Sequence, residues 1–200
     1  MMQKISLLKI YKSSKGFTMV EIMIVVVIIG LVSATAISRF FNRDNSFKEE
    51  VRNFKLLTSS LHNSAKLSHL TFRIVIQMGD ESGDGPHKYW VENSTKAGAQ
   101  ISEKDSSEQR SGFTKNTSVL KKEMTLPNGV KFESVEIAGE DQPITQGNAY
   151  IYFTPQGLVD ESAIHISAGE GLDWTIAIHP LTGKSDIFTT KVLLKDLRNQ

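Results

Sequence analysis

The run KGFTMVEIMIVVVIIGLVSA, residues 15–34, carries a single charge after Lys15, the carboxylate of Glu21. Around that acid, residues 17–37 hold only apolar side chains, glycine and small hydroxyls. At 1.5 Å of rise per residue, about 20 helical residues cover the ~30 Å hydrocarbon core of a bilayer. The run is longer than the apolar region of an ordinary secretory signal, and no Ala-x-Ala-like site closes it. Lys4, Lys9, Lys12 and Lys15 precede it with no acid among them. The positive-inside bias then puts residues 1–15 in the cytoplasm and everything after Arg39 across the membrane. The sequence therefore predicts one span over residues 17–38, with a costly acid at its edge. The dipole at a helix start offers one compensation for that acid; a specific cationic partner offers another.

The rest of the composition is that of a water-soluble domain with an appended segment. The chain has 200 residues and a net charge of +1, so no global basic field points to nucleic acid and no acidic excess to a solvating tail. It has no cysteine, which excludes disulfide staples and thiolate metal sites. Mean hydropathy is −0.20 despite the apolar run.

Past the span, the helix continues with a one-sided pattern. Phe40, Phe47, Val51, Phe54, Leu57, Leu61 and Ala65 recur at helical steps, with Lys48, Glu49, Glu50, Arg52 and Lys55 between them. This predicts an amphipathic helix over residues 39–69 whose stripe packs on the protein's own sheet. Arg43-Asp44-Asn45-Ser46 reads as a joint between the two helical halves. The period then shortens to two: residues 71–78 place Phe72, Ile74, Ile76 and Met78 on one face. GDESGDGPH turns the chain, and residues 88–92 return. Residues 94–118 read as a mobile polar loop, too long for a tight turn. Short strands separated by Gly/Pro turns follow over residues 119–137, 148–154, 162–167, 174–180 and 184–188, as in an antiparallel sandwich or meander. Residues 191–200 read as a short terminal helix or an edge segment. The expected class is α+β: a long N-terminal helix, half transmembrane and half amphipathic, packed on a C-terminal antiparallel β-sandwich over residues 70–200.

Gly16-Phe17-Thr18-Met19-Val20-Glu21, behind Lys15 and ahead of an uninterrupted apolar helix, resembles the start of the type IV prepilin family. The resemblance implies that a prepilin peptidase removes the basic leader, residues 1–16, by cutting between Gly16 and Phe17. It also implies N-methylation of Phe17 and a subunit-assembly contact between Phe17 and Glu21. The physics agrees with that pairing. Cleavage creates a cationic amine at the membrane, which is expensive to bury. A carboxylate from an adjacent subunit makes both charges tolerable in a helical bundle, and a single axial register brings the two together.

The later blocks TFRIVIQMG, KYWVE, LPNGVKFESV, YIYFTPQGLVDESAIHIS and WTIAIHPLTGKSDI resemble the H-type minor pseudopilins of type II secretion and the FimT/FimU-type minor pilins. In those families a long helix packs on a β-sandwich. The resemblance implies a minor pseudopilin near the tip of a periplasmic pseudopilus, no enzyme itself but the substrate of one. It would be a single-pass inner-membrane protein with its C-terminal domain in the periplasm. Its partners would be the prepilin peptidase, the inner membrane, and other pseudopilins or pilins through the N-terminal helix. A minor pilin that primes a type IV pilus is the alternative, followed by a pilus-tip DNA-binding module. The leader is longer than the shortest in the family. No proline interrupts the span, which points away from an abundant shaft subunit.

No nucleophile elbow, metalloprotease helix, P-loop or dinucleotide fingerprint occurs, so no catalytic residue, cofactor or small-molecule substrate is expected. His62, His69 and His87 are scattered. His165 and His179 alternate with apolar neighbours and read as solvent-facing or hydrogen-bonded strand side chains. Asp80-x-Ser82-x-Asp84-Gly85 imitates the start of a calcium loop, but the twelfth position is Val91 and the flanks are strands, so no metal is expected. Trp90 and Trp174 read as core. Lys115, Lys121 and Lys122 come nearest to a basic patch, but Glu103, Asp105, Glu108 and Glu123 dilute it, which disfavours nucleic acid.

Overall fold

Helix α1, Met19–Ser68, runs for 50 residues. The computed structural model describes residues 16–79, 85–94, 112–169 and 171–198, with the backbone alone over residues 34–43. The chain divides into two compact units, Met1–Phe40 and Phe41–Gln200.

In the first unit, residues 16–33 are exposed on every face of the helix. Among the described residues no helix is long and apolar enough to cross a membrane. The span expected over residues 17–38 runs past Ser33 into side chains outside those described.

In the second unit the expected joint at Arg43-Asp44-Asn45-Ser46 does not interrupt α1, whose helical backbone passes straight through. Asp44 and Lys48 lie one turn apart and pair at 2.7 Å, the spacing at which opposite charges support a helix. A charged cluster breaks the apolar pattern without breaking the backbone hydrogen bonds. Phe47, Val51, Phe54, Leu57, Leu61 and Ala65 are all buried, as the periodicity predicts. His69, in the left-handed region at φ 56°, ends the helix.

The described strands are β1 (Phe72–Met78), β2 (Lys88–Ser94), β3 (Phe113–Lys115), β4 (Met124–Thr125), β5 (Lys131–Ile137), β6 (Gly147–Phe153), β7 (Ser162–Ser167), β8 (Asp173–Ile178) and β9 (Ser185–Phe188). A short helix, α2 (Leu194–Leu197), closes the order. One sheet runs β3-β2-β1-β6, with β4 also on β2; the other runs β5-β7-β8-β9. Every pairing is antiparallel. On β1, Phe72, Ile74, Ile76 and Met78 are buried, as the alternation predicts.

Three rings tie the helix to both sheets. Phe54 of α1 meets Tyr89 of β2 edge-on at 5.2 Å and Phe132 of β5 at 6.3 Å, and those two meet each other at 6.3 Å. Phe47 meets Trp174 of β8 at 5.2 Å. Each such side chain, fully buried, contributes about 1.5–3 kcal/mol, so the stripe of α1 and the two sheets form one apolar cluster.

The loop expected over residues 94–118 is partly a strand. Residues 95–111 lie outside those described, but Phe113–Lys115 pairs with β2 as β3. The reason is tertiary: the Phe113 ring lies 4.3 Å from the Arg73 guanidinium and 5.8 Å from the Tyr152 ring. Local polarity carries no trace of such distant partners.

Two glycines let the helix approach the sheet ends. His62 Nε2 lies 3.0 Å from the Gly157 carbonyl oxygen. Gly183 has φ +61°, and a Cβ there would lie 2.4 Å from His62 Cβ. Gly183→Ala should therefore destabilise the domain by about 2–4 kcal/mol, through left-handed strain and overpacking together. A lowered thermal midpoint is the expected reading.

Beside the ring cluster, the Tyr89 hydroxyl donates to the buried Glu50 carboxylate at 2.5 Å. Burial pushes the Glu50 carboxyl above its usual range; the Tyr89 hydrogen bond opposes that shift and Glu49 adds to it. Burial and the bond to Glu50 raise the Tyr89 phenol as well. The folded state thus holds the Glu50 proton more tightly than the unfolded state. Its contribution favours folding at acid pH and is lost as pH rises through the raised value. Glu50→Gln, whose amide oxygen still accepts the Tyr89 bond, should be at least as stable as wild type at neutral pH. It should also flatten the fall in stability above about pH 4. Tyr89→Phe should cost about 1–3 kcal/mol by stranding a buried carboxylate. Denaturant melts across pH check both.

Candidate processing and assembly site

Gly16 and Phe17 lie in non-helical backbone immediately before α1, and both are exposed. Thr18 caps the helix: its Oγ1 accepts the Glu21 backbone N–H at 3.2 Å, and its carbonyl accepts the Ile22 N–H at 3.2 Å. Glu21 therefore stands at the third helical position, where free N–H groups and the dipole favour a carboxylate. Thr18 was not singled out in the sequence. Its signal was present there as Thr-x-x-Glu, the spacing of a capping box, inside the stretch that mattered most.

Gly16 and Phe17 precede the helix and Glu21 lies in its first turn. Among the described residues the Glu21 carboxylate has no ion-pair partner. Around it the apolar side chains are open to solvent, with Met19 86 % and Leu31 70 % exposed. A helix apolar on all sides is a helix whose surroundings are apolar. Nothing within the described chain supplies those surroundings.

Other polar clusters are internally satisfied. On the outer face of the first sheet, Arg73 pairs with Glu92 at 2.6 Å and lies over the rings of Phe113 and Tyr150 at 4.3 and 4.5 Å. Trp90 Nε1 donates to the second oxygen of Glu92 at 2.8 Å. Trp90 is thus a half-buried member of this outer face and not the core residue expected; Trp174 does pack against the core. Lys115 lies 5.0 Å above the Trp90 ring and pairs with Glu123, which removes from free display one of the three lysines that come nearest to a basic patch.

The histidines do not converge. His87 Nδ1 accepts the Phe132 N–H at 3.3 Å, and burial, with Lys131 nearby, holds its imidazole below the usual range. His179 pairs with Asp186 at 2.8 Å on the surface. His165 is buried and hydrogen-bonded at both ring nitrogens. Among the described residues no group of three metal-ligating side chains is assembled. Residues 80–84 of the calcium-like turn lie outside those described.

Residues 11–37 match the family model described as the prokaryotic N-terminal methylation motif. That match takes in Gly16, Phe17, Thr18, Glu21 and the apolar half of α1. Over part of the chain, the fold is similar to the solved structure of the minor pseudopilin EpsH from the Type 2 Secretion System of Vibrio cholerae. The TM-score is 0.46 at 16 % identity, covering 74 % of this chain and 99 % of that one. No curated protein matches the chain. Its N-terminus is a prokaryotic N-terminal methylation segment, and through that segment the chain resembles the type IV pilin and pseudopilin family.

Proposed function

We propose that this chain is a minor pseudopilin of a type II protein secretion system, held by one span in the inner membrane with its β-rich domain in the periplasm. The observation that carries this reading is the methylation segment itself: a non-helical Gly16-Phe17 bond directly before a capped, all-round apolar helix that bears Glu21 in its first turn. A protease needs extended backbone at the bond it cuts, and the Thr18 cap keeps the helix from reaching it. After the cut, the methylated amine of Phe17 and the Glu21 carboxylate of a neighbouring subunit neutralise each other. The exposed apolar helix trades lipid for the helices of other subunits. The subunit is then drawn from the membrane into a short pseudopilus, near its tip, and no catalytic group of its own is required.

Processing gives the first test. Intact mass of the membrane-extracted protein should show loss of residues 1–16 and one added methyl group on Phe17. Gly16→Leu should leave the precursor uncut, because a bulky side chain blocks close approach of the backbone to the peptidase. A normal mature mass from that variant would overturn the reading.

Assembly gives the second. Near the membrane face Glu21 costs less than the ~2.5–3.5 kcal/mol of an acid at the bilayer centre, so Glu21→Ala should insert and be cut as wild type. Within the filament it strands the Phe17 amine, and breaking a buried pair costs about 3–5 kcal/mol. Cross-linking to neighbouring subunits, and secretion, should therefore fall while cleavage persists. Wild-type cross-linking by Glu21→Ala would reduce Glu21 to a helix-start acid.

A further inference from the structure

On the outer face of the first sheet, three side chains stand in one row. The register sets Val75 of β1 opposite Trp90 of β2 on one side and opposite Tyr150 of β6 on the other. Their chain neighbours Ile74, Ile76, Tyr89, Val91, Ala149 and Ile151 belong to the core, so strand alternation turns this row outward. The solvated face of an antiparallel sheet is normally polar. This one carries two half-buried aromatic rings on either side of a valine that is 1 % exposed. Two strand spacings put the backbones of Trp90 and Tyr150 about 10 Å apart. Val75, Trp90 and Tyr150 together line a cavity of about 340 Å³, a size within the range of small-molecule sites.

The remaining walls are chemically sorted. Two residues before Val75, Arg73 pairs with Glu92 at 2.6 Å, and Lys115 pairs with Glu123. These two cations and two anions all line the cavity and cancel, so it offers a ligand no net charge. Two residues after Val75 stands Gln77. Its amide and the Tyr150 hydroxyl also line the cavity, and neither has a hydrogen-bond partner among the described residues. The groups left for a ligand are therefore aromatic surface and uncharged donors and acceptors. A peptide adds to a sheet at an open edge, whereas this cavity lies over β1, whose backbone is paired on both sides. A pyranose ring suits it better. Its C–H face packs on an aromatic ring, and its hydroxyls both donate and accept.

We propose that this cavity is a binding site for a neutral saccharide, seated between Trp90 and Tyr150 with its hydroxyls on the Gln77 amide and the Tyr150 hydroxyl. The Arg73–Glu92 and Lys115–Glu123 pairs fix the walls and keep the site electrically neutral, which selects against charged sugars.

Saturation-transfer NMR on the full chain, held in phosphocholine micelles that carry no sugar headgroup, tests this. The probes are maltotriose, cellotriose and tri-N-acetylchitotriose, with a Ser-Ala-Gly-Asn peptide as the uncharged competitor class. At least one trisaccharide should receive saturable transfer, with a Kd below about 10 mM. Preference for the N-acetylated trimer or for a glucose trimer supports the proposal and names the sugar. Gln77→Ala combined with Tyr150→Phe removes only groups that lack partners in the free protein and keeps the ring over Arg73. The thermal midpoint should therefore hold while binding weakens about tenfold or more. Absence of saturable transfer to all three sugars overturns the proposal. So does wild-type sugar binding by the double variant, which puts the sugar elsewhere, and so does transfer to the peptide in place of the sugars.

Discussion

The stripe of α1 that carries Phe47, Val51, Phe54, Leu57, Leu61 and Ala65 is the surface on which both sheets of the second unit close. Each sheet has one apolar face, and each face needs a cover. Here one helix serves both, so Phe54 touches a ring from each sheet and the three rings meet at a single junction. Other features follow from that sharing. Gly157 and Gly183 lack side chains where His62 comes close. Thr58 of the helix meets Ser185 of β9 at 2.7 Å. Glu50, on the buried side of the same helix, keeps a carboxylate there because Tyr89 supplies a donor.

The first half of α1 obeys a different rule. Residues 19–32 include no polar face to turn toward water, and their side chains are exposed. The helix start is nonetheless built with care: Thr18 takes up one free N–H, and Glu21 sits where the positive end of the dipole lies. A capped start holds the bond before Phe17 outside the helix. In the proposed role, that same end carries the new amine, so backbone capping, dipole and charge pairing act on a few neighbouring atoms.

The outer faces of the two sheets are finished by polar networks, and in both the network does what apolar burial does inside. On the first sheet, Arg73 is held between two aromatic rings and a carboxylate. On the second, Thr175 and Glu136, joined through His165, bond to a segment that would otherwise have unpaired backbone groups over a sheet face. Polar chains of this kind hold best while every member is satisfied.

The local order of the chain was legible in its sequence: the buried stripe of the long helix, the inward row of β1, and the methylation segment. Periodicity and short motifs are properties of neighbours in the chain, and neighbours are what a sequence displays. Tertiary structure decided the rest. It made Phe113–Lys115 a strand where composition read as a loop, because Phe113 packs on Arg73 and Tyr152. It carried α1 through a charged cluster that looked like a joint, and it moved Trp90 from the expected core to an outer face. It gathered Glu136, His165 and Thr175 from three strands into one hydrogen-bonded chain. Those outcomes depend on which residues meet across the fold, and their energies come from partners that lie far apart in the sequence.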